Sequence, residues 1–297
     1  MLSRLRPLAL AALAIVPLAL LPAAPATAQQ LRPWMQSEIA RAWSLGFRGQ
    51  GTSITVVDDF RSTSRSTGIL RGTTERLRHG EWTALQTGLI APSARVFTRD
   101  FGTTQAITLQ GGLNTLNLSY GMMAAAGSNI RWTPREASII GFARTGRAVV
   151  VKSAGNDGID IGTPTVTGRF DYLSRDLTGT PSTIFVGALT AHGSTARPAT
   201  LAAYSNRPGA DATLQGQFLV VGVPSDLTRL SGTSFAAPVV AGYAAVLGSK
   251  FTRATPVQIT GQLLATARTD TIRNYSATLH GRGEASIARA LAPAAIR

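Results

Sequence analysis

Ser234 stands in the segment Gly232-Thr233-Ser234-Phe235-Ala236-Ala237-Pro238, and the stretch that follows, Val239 to Leu247, is apolar on nearly every side. A helix of that composition is buried, so Ser234 is expected at the N-terminus of a buried helix. Backbone N–H groups there lack partners and the helix dipole favours negative charge. A serine in that place either caps the helix or, given a base to take its proton, attacks an acyl carbon. Three histidines could serve as base: His79, His192 and His280. Asp58 ends a β-branched apolar run, and Asn156 lies in the turn after another. Each also has a structural reading, Asp58 as a strand-end cap and Asn156 as a left-handed turn residue before Asp157-Gly158.

The elements that must position these residues can be read from pattern. Ser37 to Leu45 predicts a short amphipathic helix stopped at Gly46. Strands are predicted over Ser53 to Asp58, Ala94 to Phe101, Leu113 to Ser119, Ala148 to Lys152 and Ile184 to Leu189. His79-Gly80 opens a predicted helix running to about Gly88. Thr133-Pro134-Arg135-Glu136 reads as a capping box with proline at the first helical position; Ile139, Ile140 and Ala143 give that helix its packing face and Gly146 its end. Strands alternating with helices imply an α/β fold, a mostly parallel sheet with helices on both faces. Such sheets bind ligands at the carboxyl ends of their strands, where Asp58 and Asn156 lie.

The segment around Ser234 resembles the nucleophile motif of the subtilisin-like serine proteases. Ile54-Thr55-Val56-Val57-Asp58 resembles that family's strand bearing the triad aspartate, and His79-Gly80, with Ala91-Pro92-Ser93-Ala94 downstream, its histidine segment. Asn117-Leu118-Ser119-Tyr120-Gly121 resembles the strand that pairs with bound peptide. Val149 to Asn156 resembles the strand and turn with the oxyanion asparagine, and His280-Gly281-Arg282-Gly283 the Gly-rich step before the last helix. The likeness runs from about Trp34 to Leu291 and keeps the family order Asp, His, Ser. It implies a subtilisin-like three-layer fold and a serine endopeptidase. Ser234 would be nucleophile, His79 general base, Asp58 the acid orienting it, and Asn156 an oxyanion donor beside the Ser234 N–H. Ser119, Tyr120, Gly121, Ala154 and Gly155 would wall the peptide cleft. The floor of the first specificity pocket would fall between Ile161 and Pro181. Polypeptides are the implied partners; no cofactor or metal is implied.

The chain departs from the family pattern in places. Asp59 and Phe60 follow Asp58 where a small hydroxyl residue and glycine are usual, so a second carboxylate stands beside the first. Glu81 and Trp82 follow His79-Gly80 in place of a small β-branched residue and, often, histidine. Ala91-Pro92 leaves no room for the calcium-holding loop of many relatives, and the short Ala94 to Leu118 stretch implies a trimmed helix. Two other readings stand beside the protease. One is a binding protein on this scaffold, motivated by positions 59, 60, 81 and 82. The other is an α/β-hydrolase-type esterase with Ser234, Asp270 and His280 in the order Ser, Asp, His.

With 297 residues and no cysteine, the chain can hold one large domain and excludes disulfides, thiolate metal sites and a cysteine nucleophile. Lys plus Arg number 29 against 15 Asp plus Glu, a formal charge of +14. Lys152 and Lys250 are the only lysines, and the arginines are scattered, which implies a solvated basic surface and no nucleic-acid partner. Arg4 and Arg6, the apolar run Pro7 to Leu21 and Ala26-Thr27-Ala28 read as a secretory signal over residues 1–28. Residues 29–297 are then the peptidase domain, a monomer in the periplasm or medium with no lasting membrane insertion. Asp58 stands only thirty positions after Ala28, too few for the family's folding-assisting propeptide.

Overall fold

The computed structural model describes residues 30–296, so the expected signal segment lies outside the described residues. Among the described residues the strands are β1 (Thr52–Asp58), β2 (Ser66–Gly68), β3 (Glu75–Leu77), β4 (Arg95–Asp100), β5 (Leu113–Leu118), β6 (Met123–Ala125), β7 (Val149–Ser153), β8 (Arg169–Asp171), β9 (Thr183–Leu189) and β10 (Phe218–Gly222). The helices are α1 (Glu38–Ser44), α2 (His79–Ile90), α3 (Pro134–Thr145), α4 (Tyr172–Leu177) and α5 (Ala212–Gly216). After them come α6 (Ser225–Thr228), α7 (Ala237–Lys250), α8 (Pro256–Ala265), α9 (Ala277–His280) and α10 (Ile287–Leu291).

Six strands form one parallel sheet in the order β10-β9-β7-β5-β1-β4. Strands β1, β7 and β9 inside the sheet, and β10 at one edge, are buried at every residue, as a sheet covered on both faces requires. Edge strand β4 instead carries Arg95, Arg99 and Asp100, charges that discourage pairing with another chain. One face packs on α7, α2 and α1, the other on α3 and α4, giving three layers and two cores. The order of strands reverses between β1 and β5. The crevice beyond their carboxyl ends therefore lies between Asp58 and Ser119.

α7 crosses the first core with every residue buried except Lys250. Ser234 does not begin that helix; it lies in a one-turn 3₁₀ segment, Thr233–Phe235, just before it. The proline at position 238 permits the first turn of an α-helix but cannot extend the ladder backwards, so the chain enters through a tighter turn. The expected capping box at α3 also differs. Thr133 supplies no hydrogen bond to the backbone; its hydroxyl donates to the Glu136 carboxylate. That carboxylate is fully buried, claimed by Arg135 and by the Tyr120 hydroxyl, and cannot fold back over the helix start. Between β4 and β5 there is no helix, the trimming that the short connection implied. Strand β10 and the short antiparallel pairs β2–β3 and β6–β8 are not among the predicted strands. Among the described residues no helix is long and apolar enough to cross a membrane.

Candidate active site

β1 delivers Asp58 to the crevice, almost fully buried. Its Oδ1 lies 2.6 Å from His79 Nδ1 and accepts the Asp59 N–H at 2.7 Å, while Oδ2 accepts the Thr83 hydroxyl at 2.9 Å. His79 opens α2, its side chain 36% exposed. Burial alone pulls the imidazole pKa down. The hydrogen bond and charge of Asp58, with the charge of Asp59, outweigh it and hold the group above its ordinary value.

The departures around this pair have structural roles. Asp59 accepts the Ser62 hydroxyl and the Arg61 and Ser62 N–H groups, closing its own turn. Chiefly because of the Ser62 hydroxyl, its carboxyl is held below its ordinary value. The Asp59 carbonyl in turn accepts the Gly80 N–H at 2.9 Å. A Cβ on Gly80 would stand 2.6 Å from that oxygen and 2.8 Å from the Phe60 ring, so glycine is required beside His79. Glu81 caps α2 through the Arg78 N–H at 2.7 Å and pairs with the Arg78 guanidinium. Trp82 is fully buried and donates to the Ser66 carbonyl at 3.1 Å. The four irregular positions thus hold together the turn and the helix start that carry His79.

Asn156 ends the turn after β7. Its Oδ1 accepts from the Thr233 N–H at 2.8 Å and from the Thr233 hydroxyl at 3.0 Å. A backbone N–H needs an acceptor, which fixes the amide with Oδ1 toward Thr233 and leaves Nδ2 without a protein partner among the described residues. Asn206 holds this turn: its Oδ1 accepts the Asp157 and Ile159 N–H groups at 2.9 and 3.2 Å. Gly155 has φ 106°, and a Cβ there would meet Asn206 Nδ2 at 2.3 Å.

The Ser234 hydroxyl donates to the Ser119 carbonyl at 3.3 Å, and the Ser119 hydroxyl returns a bond to the Ser234 carbonyl at 3.0 Å. Phe235 turns its ring toward the imidazole of His79, centroid to centroid 5.6 Å. A cavity of about 300 Å³ opens here. Ser119, Tyr120, Gly121, Ala154, Gly155, Asn156 and Ser234 all line it, whereas Asp58 and His79 stand beside it. The Ser, Asp, His alternative does not assemble. Asp270 pairs with Arg289 at 3.3 Å, His280 is buried against Ser276 and Tyr275, and neither lines the cavity. Among the described residues no three His, Cys, Asp or Glu side chains gather as metal ligands. Thr83, Thr233 and Asn206 escaped the sequence reading. Thr233 had a signal, its place inside the nucleophile motif; the other two had none.

The Subtilase family model matches residues 100–283, more than half of the chain. The chain belongs to the subtilase family. The matched span carries Ser119, Asn156 and Ser234, while Asp58 and His79 precede it. As a subtilase the protein is a serine-type endopeptidase acting on polypeptides. Compared by sequence with curated proteins it has no match. Solved structures share its fold. The prenylagaramide maturation protease PagA does so at TM-score 0.57 and 20% identity, over 86% of this chain and 98% of that one. MycP1 from Mycobacterium smegmatis has TM-score 0.55 and 20% identity, over 90% and 86%. A lanthipeptide protease has TM-score 0.52 and 18% identity, over 85% and 90%.

Proposed function

We propose that this subtilase is a secreted enzyme that cuts peptide bonds through an acyl-enzyme on Ser234. The Ser234 hydroxyl adds to the scissile carbonyl carbon while its proton passes to His79 Nε2. Asp58 keeps the other ring proton on Nδ1 and stabilises the imidazolium that forms. The carbonyl oxygen, now an anion, takes bonds from Asn156 Nδ2 and the Ser234 N–H. His79 then gives its proton to the leaving amine, and water repeats the sequence to release the acid. Ser119, Tyr120, Gly121, Ala154 and Gly155 hold the peptide. Residues 1–28 act as the cleaved signal, and residues 29–297 work as a monomeric domain in the periplasm or medium.

The observation that carries the reading is the 2.6 Å contact between Asp58 and His79 beside the cavity that holds Ser234 and Asn156. A binding protein would not need a buried carboxylate spent on orienting an imidazole. A fluorophosphonate probe tests the reading. It should label the wild type and fail on Ser234→Ala, and labelling that survives that substitution would refute the assignment.

A further inference from the structure

The floor of the Ser234 cavity is ionic. Lys152 lies on β7, almost fully buried, two residues from Val150 and so on the sheet face that packs against α4. Lysine is rarely buried without a partner. Here the ammonium donates to the Ser153 carbonyl at 2.7 Å and lies 3.1 Å from Asp171 Oδ2. Asp171 caps the start of α4. Its Oδ1 accepts the Met122 and Leu173 N–H groups at 2.9 and 3.2 Å, and its Oδ2 also accepts the Ser174 hydroxyl at 2.7 Å. The four acceptor positions of that carboxylate are therefore filled from within the protein. Lys152 and Asp171 both line the cavity that Ser234 and Asn156 share.

If Ser234 is the nucleophile, the cavity that it lines with Asn156 is the space open to the side chain of the residue whose carbonyl is attacked. An arginine or lysine entering it would find the acid already neutralised and a second cation beside it. A carboxylate would have to pass Asp157, exposed at the mouth, and settle next to Asp171. An apolar side chain would cover the third ammonium N–H and give it no acceptor. A side-chain amide meets none of these penalties, because it offers an acceptor without charge.

Building on the reading of Ser234 as nucleophile, we propose that Lys152 determines specificity. By occupying Asp171 it excludes arginine and lysine and selects glutamine or asparagine on the acyl side of the cut bond. Peptides identical except at that residue test this, with Gln, Asn, Leu, Glu and Arg compared by kcat/KM. The wild type should favour Gln or Asn over each of the others by about tenfold or more, the scale of one satisfied buried hydrogen bond. Lys152→Ala frees the acid and makes room for a cation, so Arg should rise about tenfold or more and overtake Gln. Asp171→Asn, which nearly preserves shape, leaves the ammonium unpaired and should raise Glu instead; it carries the test if Lys152→Ala fails to fold. A wild type that prefers Arg or Leu overturns the proposal, as does an unchanged ranking in folded variants that still label with fluorophosphonate. Absence of labelling in the wild type would remove the Ser234 reading itself, a separate failure.

Discussion

Asp58→Asn is a perturbation whose size the local hydrogen bonds set. The Asp59 N–H, 2.7 Å from Oδ1, cannot donate to an amide nitrogen, so the new side chain keeps its oxygen there, facing His79. Its NH₂ then replaces Oδ2 opposite Thr83. The Thr83 hydroxyl is also 3.1 Å from the Gly80 carbonyl, so it can donate there and accept from the amide. His79 thus keeps its proton on Nδ1, and only the negative charge is lost. At an effective dielectric constant of about 20, a unit charge about 4 Å from the imidazolium is worth roughly 3–4 kcal/mol. That corresponds to a fall in kcat of about 10²- to 10³-fold. A flipped amide would force the wrong tautomer, which costs about 10⁴ in the general serine-protease case. Adding Thr83→Val removes the partner of the NH₂ group and should carry the loss toward that larger value. Steady-state kcat, normalised by fluorophosphonate titration of active sites, measures both variants. A loss of about 10⁴ or more from Asp58→Asn alone would refute the amide orientation. A loss under about tenfold, with Asp59→Asn the damaging change, would transfer the orienting role to Asp59.

Asn156→Leu should lower kcat by about 10²- to 10³-fold with KM nearly unmoved, because the bond to the oxyanion forms in the transition state; a raised KM with kcat spared would contradict the role. His79 must be neutral to act as base, and its pKa is held above its ordinary value of 6.5, so kcat/KM should climb with pH through a midpoint above that value. Asp59→Asn removes one of the anions holding the proton and should move that acid limb to lower pH; a shift upward would reverse the electrostatic argument. Phe235 beside Ser234 offers peroxide no thioether, so moderate peroxide should spare most activity and Phe235→Met should sensitise the enzyme. Rapid loss in the wild type, with Met122 and Met123 unmodified by mass spectrometry, would show another target.

The sheet was legible because buried parallel strands are short runs of Val, Ile and Leu, as in Val149 to Val151 and Ile54 to Val57. α7 was legible for the same reason. Strand β10 carries the same signal, the apolar run Phe218 to Val221 between Gly216 and Gly222-Val223-Pro224, and belongs with the strands above although it is not among those predicted. The three-residue strands β2, β3, β6 and β8 are too short for any period to show. Within the site, residue types in order picked out Asp58, His79, Asn156 and Ser234, because each lies at the end or start of an element. What sequence could not supply is the packing between distant segments. Asn206 reaches the Asn156 turn from a separate loop after β9, and Asp171 reaches Lys152 from the start of α4. Glu81 and Trp82, irregular as motif residues, make sense only once Arg78 and Ser66 stand beside them.

Burial of α7 also bears on when the enzyme can become dangerous. The proposed nucleophile sits on the turn leading into a helix whose every residue but the last lies in the core. The acid and base proposed for it, Asp58 and His79, come from β1 and α2, early in the chain. A polypeptide still emerging in order holds a histidine and an aspartate but no serine fixed opposite them. The cutting edge is assembled only when the final third of the chain docks into the sheet. Heat that loosens α7 should blunt that edge in the same step that exposes the core, so loss of activity and loss of the fold should coincide.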